Sequence, residues 1–200
     1  MTTFVRWSRG LGLAAALAVT STGAQAQTWV ATMNGANESP PVVSMGIGSA
    51  TFTLTGNVLR VQGSFSGLNG LTSASHIHCC TAAPLTGTVG VATTTPTFPG
   101  IPLGVSSAVF DFLLDLDQAS SFNPAFVTAN GGTLAGARAR LIAGMNSGSS
   151  YLNIHTSTSP GGEIRGFILT PVPEPSSMLL MGAGLLGLAG FAVRRRQGTR

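Results

Sequence analysis

The chain has no lysine at all, and charged residues of every kind make up 8% of its 200 positions. An average soluble domain carries about a quarter. That scarcity excludes a coiled coil, a helical bundle with charged outer faces, and a long acidic or basic tail. Whole-chain disorder is excluded by what is present: 44% of the residues are hydrophobic, whereas disordered chains combine low hydrophobicity with high net charge. With 27 glycines and 11 prolines, set among threonine and serine, the composition points to an exported, β-rich domain. The length allows one ordinary domain plus extensions.

The formal net charge of +4 is unevenly placed, at +2 in residues 1–26, −1 in 27–170 and +3 in 171–200. The basic character belongs to the two ends. The middle has no basic patch to meet phosphates, so nucleic-acid binding is excluded.

The N-terminal end has Arg6 and Arg9, an apolar run from Leu11 to Val19, then Ala24-Gln25-Ala26. This order makes residues 1–26 a secretory signal peptide, cut after Ala26 by an export signal peptidase. The apolar run is too short to span the roughly 30 Å of a bilayer's hydrocarbon. The C-terminal end places an uncharged stretch from Ser176 to Val193 before Arg194, Arg195 and Arg196. That stretch is at the short end of a spanning helix, so a transmembrane segment is predicted over 176–193, its arginines holding the last residues in the cytoplasm.

Val172-Pro173-Glu174-Pro175, a short glycine-containing span and the arginine cluster, in that order, resemble the PEP-CTERM sorting signal. The resemblance implies recognition by an exosortase-type membrane protease that removes the tail, in a Gram-negative bacterium making extracellular polysaccharide. It also implies a product placed in the cell envelope, outer surface or extracellular matrix, anchored in the inner membrane at least transiently. A permanent tail anchor is the other reading of the same residues.

Residues 27–170 are long enough for one sizeable core. Apolar residues fall on even positions in Ala50–Leu54 and on odd positions in Leu59–Phe65, with Gly56-Asn57 between, which predicts a β-hairpin. Phe110, Phe112, Leu114 and Leu116 alternate with Asp111, Leu113, Asp115 and Asp117 as a half-buried strand does. Tyr151–Thr156 and Glu163–Thr170 form a final strand pair, Thr133–Met145 has the only helical spacing, and 81–104 reads as a long loop or irregular edge. Together these predict an all-β domain, a β-sandwich with one short helix.

Three segments stand out in that domain: Ala36-Asn-Glu38-Ser-Pro40-Pro41-Val42, Ala74-Ser75-His76-Ile77-His78, and Tyr151-Leu-Asn153-Ile-His155-Thr156 with Pro160-Gly-Gly-Glu163-Ile-Arg165-Gly166. In this order they resemble the CHRD domain. The resemblance implies an immunoglobulin-like β fold without assigned enzymatic activity, and so a non-catalytic binding or structural module meeting exopolysaccharide or surface proteins. Cys79-Cys80 directly after the His-x-His, and Phe167 in place of a polar residue, depart from that family's pattern.

All three histidines lie in these segments. On a strand, His76 and His78 share one face, and so do Tyr151, Asn153 and His155. If the two strands are neighbours, His76, His78 and His155 form a candidate zinc or copper site. A His-x-His on a β strand also loosely resembles the copper site of copper–zinc superoxide dismutase, which would bring redox activity. The alternative is a set of histidines hydrogen-bonded in a polar interior with Glu163 and Arg165 as partners. Glu38 is expected to form a salt link with Arg165.

Cys79 and Cys80 are bound for an oxidising compartment. A vicinal disulfide, thiolate ligation beside His78, an intermolecular bridge and buried free thiols are all open to them. A Cys–His nucleophile is disfavoured because adjacent strand residues face opposite ways. Asp111, Asp115 and Asp117 are either oxygen donors for calcium or a solvated face. No catalytic residue is expected.

Overall fold

The computed structural model describes residues 26–171 and 180–188. Residues 1–25 of the expected signal peptide and the residues of the sorting motif, Val172 to Pro175 and Arg194 to Arg196, lie outside the described residues.

Seven strands are formed: β1 (Gln27–Asn34), β2 (Ile47–Thr55), β3 (Val58–Ser66), β4 (Thr72–His78), β5 (Ala108–Asp115), β6 (Tyr151–Thr156) and β7 (Ile164–Phe167). They make one antiparallel sheet in the order β4-β6-β7-β1-β2-β3-β5. The β2–β3 hairpin follows from its alternation. Thr55 pairs with Val58, leaving Gly56-Asn57 as the turn, and Phe52, Val61 and Phe112 line up across β2, β3 and β5. This row and its neighbours Ala50, Leu59, Phe65, Phe110 and Leu114 are buried. Asp111 and Leu113, between them on β5, are exposed.

A sandwich divides its strands between two sheets; here one ladder runs through all seven. The continuity is made at β7, which pairs with β6 over four residues and meets β1 at Asn34↔Arg165, with an isolated bridge just past the strand at Val30↔Leu169. The sheet curls instead of splitting. The irregular segment 79–107 runs along the free edge of β4, through Cys79 N–H to Gly90 O, Ala92 N–H to Ile77 O, Phe98 N–H to Ser75 O and Thr72 N–H to Val105 O. The ring of Phe98, in this segment, lies 4.9 Å from that of Phe112 on β5. The two outermost strands are thereby drawn over a common core.

Two helices cover the core where one was expected. α2 (Leu134–Ser147) starts at Thr133, whose side chain accepts from Gly136 N–H, and ends at Gly148 in the left-handed conformation. Its buried face is Ala137, Leu141, Gly144 and Met145. α1 (Pro124–Ala129) is a single short piece with Pro124 in its first turn and the Asn123 side chain capping Ala125 N–H.

The expected transmembrane helix at 176–193 is not shown: 180–188 are helical, 176–179 and 189–193 lie outside the described residues, and among the described residues no helix is long and apolar enough to cross a membrane.

Candidate functional site: three histidines on one sheet face

Strands β4 and β6 are neighbours, with His78 opposite Tyr151, His76 opposite Asn153, and Ala74 opposite His155. Alternation sends Ile77, Leu152 and Ile154 into the apolar core at 0% exposure. It sends His76, His78, Tyr151, Asn153 and His155 to the other face. The rings converge there, with centroids 5.2 Å apart for His76–His155 and 5.9 Å for both His76–His78 and His78–His155. One ring nitrogen from each residue lies within 4.8 Å of the other two.

Every ring is held by a backbone carbonyl. His78 Nδ1 meets Val89 O at 2.8 Å, His155 Nδ1 meets Pro160 O at 2.9 Å, and His76 Nε2 meets Pro96 O at 2.5 Å. A carbonyl only accepts, so in each neutral ring this nitrogen carries the proton and the other is a bare lone pair. The bare nitrogens are the converging ones: His76 Nδ1 stands 3.4 Å from His155 Nε2, and His78 Nε2 is buried with no partner. Burial holds all three rings below the usual histidine range, against the opposing pull of the carbonyls, and takes His78 to about 4.

The surroundings are aromatic and cationic. Tyr151 stacks on His78 at 4.7 Å, and the Arg165 guanidinium lies 4.8 Å from the centre of the same tyrosine ring. Arg165 is buried, donating from Nε to Asn37 O and from Nη1 to Gly87 O, and stands 3.8 Å from Glu38. Burial pushes the Glu38 carboxyl up to about 7, with Arg165 and the Ser39 amide pulling the other way.

Neither Glu163 nor Arg165 is a histidine partner, although the polar-interior reading gave them that role. Glu163 faces the opposite side of the sheet, where Ser44, Thr156 and the amides of Asn69 and Gly70 donate to it. Burial disfavours its charge, yet these hydrogen bonds outweigh it and hold the carboxyl below its ordinary value. This buried staple had no signal in the sequence, because its donors come from three separate segments.

Cys79 and Cys80 are disulfide-bonded to each other. Their sulfurs lie against α2, near Arg140 O and the Cα of Gly144, rather than in the histidine cluster. The three aspartates do not gather. Asp111 pairs with Arg60, Asp117 pairs with Arg138 and accepts from Asn57, and Asp115 accepts from the Asp117 amide. Among the described residues, His76, His78 and His155 are the group arranged to hold a metal ion.

Comparison with known proteins gives two matches. A family model described as the CHRD domain matches residues 29–168. One described as the PEP-CTERM protein-sorting motif matches residues 171–196. No curated protein and no solved structure matches the chain.

Proposed function

Since the chain belongs to the CHRD domain family and ends in a PEP-CTERM sorting motif, we propose that it is an exported surface module that binds zinc or copper through His76, His78 and His155. The sorting motif implies export, association with the envelope, and processing by exosortase-type machinery at the membrane. The metal reading is carried by one observation: three lone-pair nitrogens converge within 4.8 Å, while each ring's other nitrogen is fixed by a backbone carbonyl.

That outer carbonyl contact is what metal-bound histidines use to fix tautomer and ring direction. The separation of 3.4 Å between His76 and His155 nitrogens matches the roughly 3.3 Å between ligands of a tetrahedral zinc. His78, whose nitrogen lies within 4.8 Å of the other two, would close by up to about 1.5 Å. Imidazole sets of this kind suit zinc and copper. A purely structural role leaves the buried His78 Nε2 without a partner and two acceptor nitrogens facing each other, which costs free energy that a cation would recover.

The role is non-catalytic binding in the envelope or exopolysaccharide matrix, with exopolysaccharide or surface proteins as partners. The test is metal content by mass spectrometry of the protein recovered from the envelope, beside a His76→Ala/His78→Ala/His155→Ala variant. About one zinc or copper ion per chain is expected in the wild type and none in the variant. Equal traces in both after exposure to the two metals would refute the assignment.

A further inference from the structure

The loop after β1 brings one titratable group to the edge of this site, and the histidine cluster leaves it unused. Glu38 is 7% exposed, and its Oε1 has no hydrogen-bond partner. Asn153, at 3% exposed, has an equally unpartnered Oδ1. Both atoms border one gap: a Cβ on Gly162 would stand 2.6 Å from Asn153 Oδ1 and 2.8 Å from Glu38 Oε1. Gly162 has φ of +125°, which a larger residue would rarely adopt. The gap leads to a cavity of about 250 Å³ lined by Glu38, Ser39, Ser159 and Gly162. The loop forming its wall also carries Pro160, whose carbonyl holds His155.

A buried carboxylate oxygen without a donor is costly to leave charged, and the neutral carboxyl, which brings its own O–H to a gap bordered by the Asn153 amide, removes that cost. Asn153 lies directly across from His76 and two residues from His155, so this gap adjoins the metal site. The charged and titratable groups facing Glu38 are Arg165 on β7 and Tyr151 on β6. The histidines lie beyond them on β4 and β6. A dication at the histidines would add positive charge to a face that already carries Arg165, and Glu38 is the acid able to balance it.

We propose that Glu38 is the charge-compensating proton site of the three-histidine centre. The inference rests on the metal reading above. When a divalent cation binds, the Glu38 O–H bond breaks, the electron pair stays on the carboxylate, and the proton leaves to solvent through the cavity. The neutral carboxyl fits the metal-free state, in agreement with a pKa near 7.

The full-length protein carries three glutamates, Glu38, Glu163 and Glu174, so glutamate labelled with ¹³C at the carboxyl gives three readable signals. Their titration by NMR is followed with and without one equivalent of zinc, while calorimetry on the same sample reads zinc uptake. Glu38→Gln assigns the Glu38 signal by removing it. If that variant fails to fold, Glu174→Gln and the low-pH signal of Glu163 assign it by elimination.

The expected result is a Glu38 midpoint near neutrality without metal, falling by about one pH unit or more when zinc binds. Zinc uptake with an unmoved Glu38 midpoint, or an ordinary carboxylate midpoint in the metal-free protein, overturns the proton-site assignment alone. No zinc uptake overturns the metal reading and this inference with it.

Discussion

At the scale of single residues, burial and hydrogen bonding set opposite pH responses within a few ångströms. His76, His78 and His155 have folded pKa values lowered from 6.5. The unfolded chain therefore binds protons that the fold rejects, and stability falls as pH drops below about 6.5. For His78 alone, with a folded value of about 4, this amounts to on the order of 3 kcal/mol by pH 4. Glu38 runs the other way. Its folded pKa is raised to about 7, so the stability it contributes below about 4.5 is lost as pH rises through 7. His78 and Glu38 are shifted by similar amounts in opposite senses and nearly offset each other between pH 4.5 and 6.5, so the lowered His76 and His155 decide the sign, and metal-free protein should gain stability across that range. Denaturant midpoints across that range test this, with Glu38→Gln giving a steeper rise; a flat profile would refute it. The shared faces of His76 with His78, and of Tyr151 and Asn153 with His155, were legible from alternation. The register that makes them neighbours was not, nor were the carbonyls of Val89, Pro96 and Pro160, since any residue's backbone can supply one.

At the scale of elements, the hairpin and β5 were legible because each buries one face and so writes a period of two into the sequence, while β6, buried on both faces, still alternates polar Tyr151, Asn153 and His155 with apolar Leu152 and Ile154. α1 was missed, since its six residues are too few to show a helical period. The curl was missed too, because the bonds that close it come from the irregular segment 79–107, where no period exists. The contact of α2 with the end of β4 depends on one missing methyl group. A Cβ on Gly144 would lie 2.4 Å from Cys79 Sγ, 2.5 Å from Ser150 Oγ and 2.6 Å from Cys80 Sγ. Gly144→Ala should lose about 1–3 kcal/mol of stability through overpacking. Gly161→Ala, with nothing within 4 Å of the new atom, should stay within about 0.5 kcal/mol. Urea unfolding of the two variants compares them, and equal stabilities would contradict the packing described.

At the scale of the whole molecule, the domain and its address are separable in sequence: the family match ends at residue 168 and the sorting motif begins at 171. Their composition differs accordingly, a slightly acidic domain beside a basic tail. The sorting motif was legible, because a machine that reads Pro173-Glu174-Pro175 needs those residues in order rather than a fold. Replacing these three by alanine should leave the tail attached. Intact mass of the envelope-associated chain tests this; a variant shortened at the same place as the wild type would refute exosortase-type processing through this motif.

The segment at residues 79–107 hangs from the histidine rings by two of its carbonyls, Val89 and Pro96, while its amides and carbonyls occupy the outer edge of β4. An uncovered strand edge is a template on which another chain's strand can add. The same rings that face one another across the sheet thus keep a cover on its border. Loss of the histidines would remove two of the ties on that cover and leave it to its backbone ladder and the Phe98 anchor, a looser border that invites a neighbouring chain's strand.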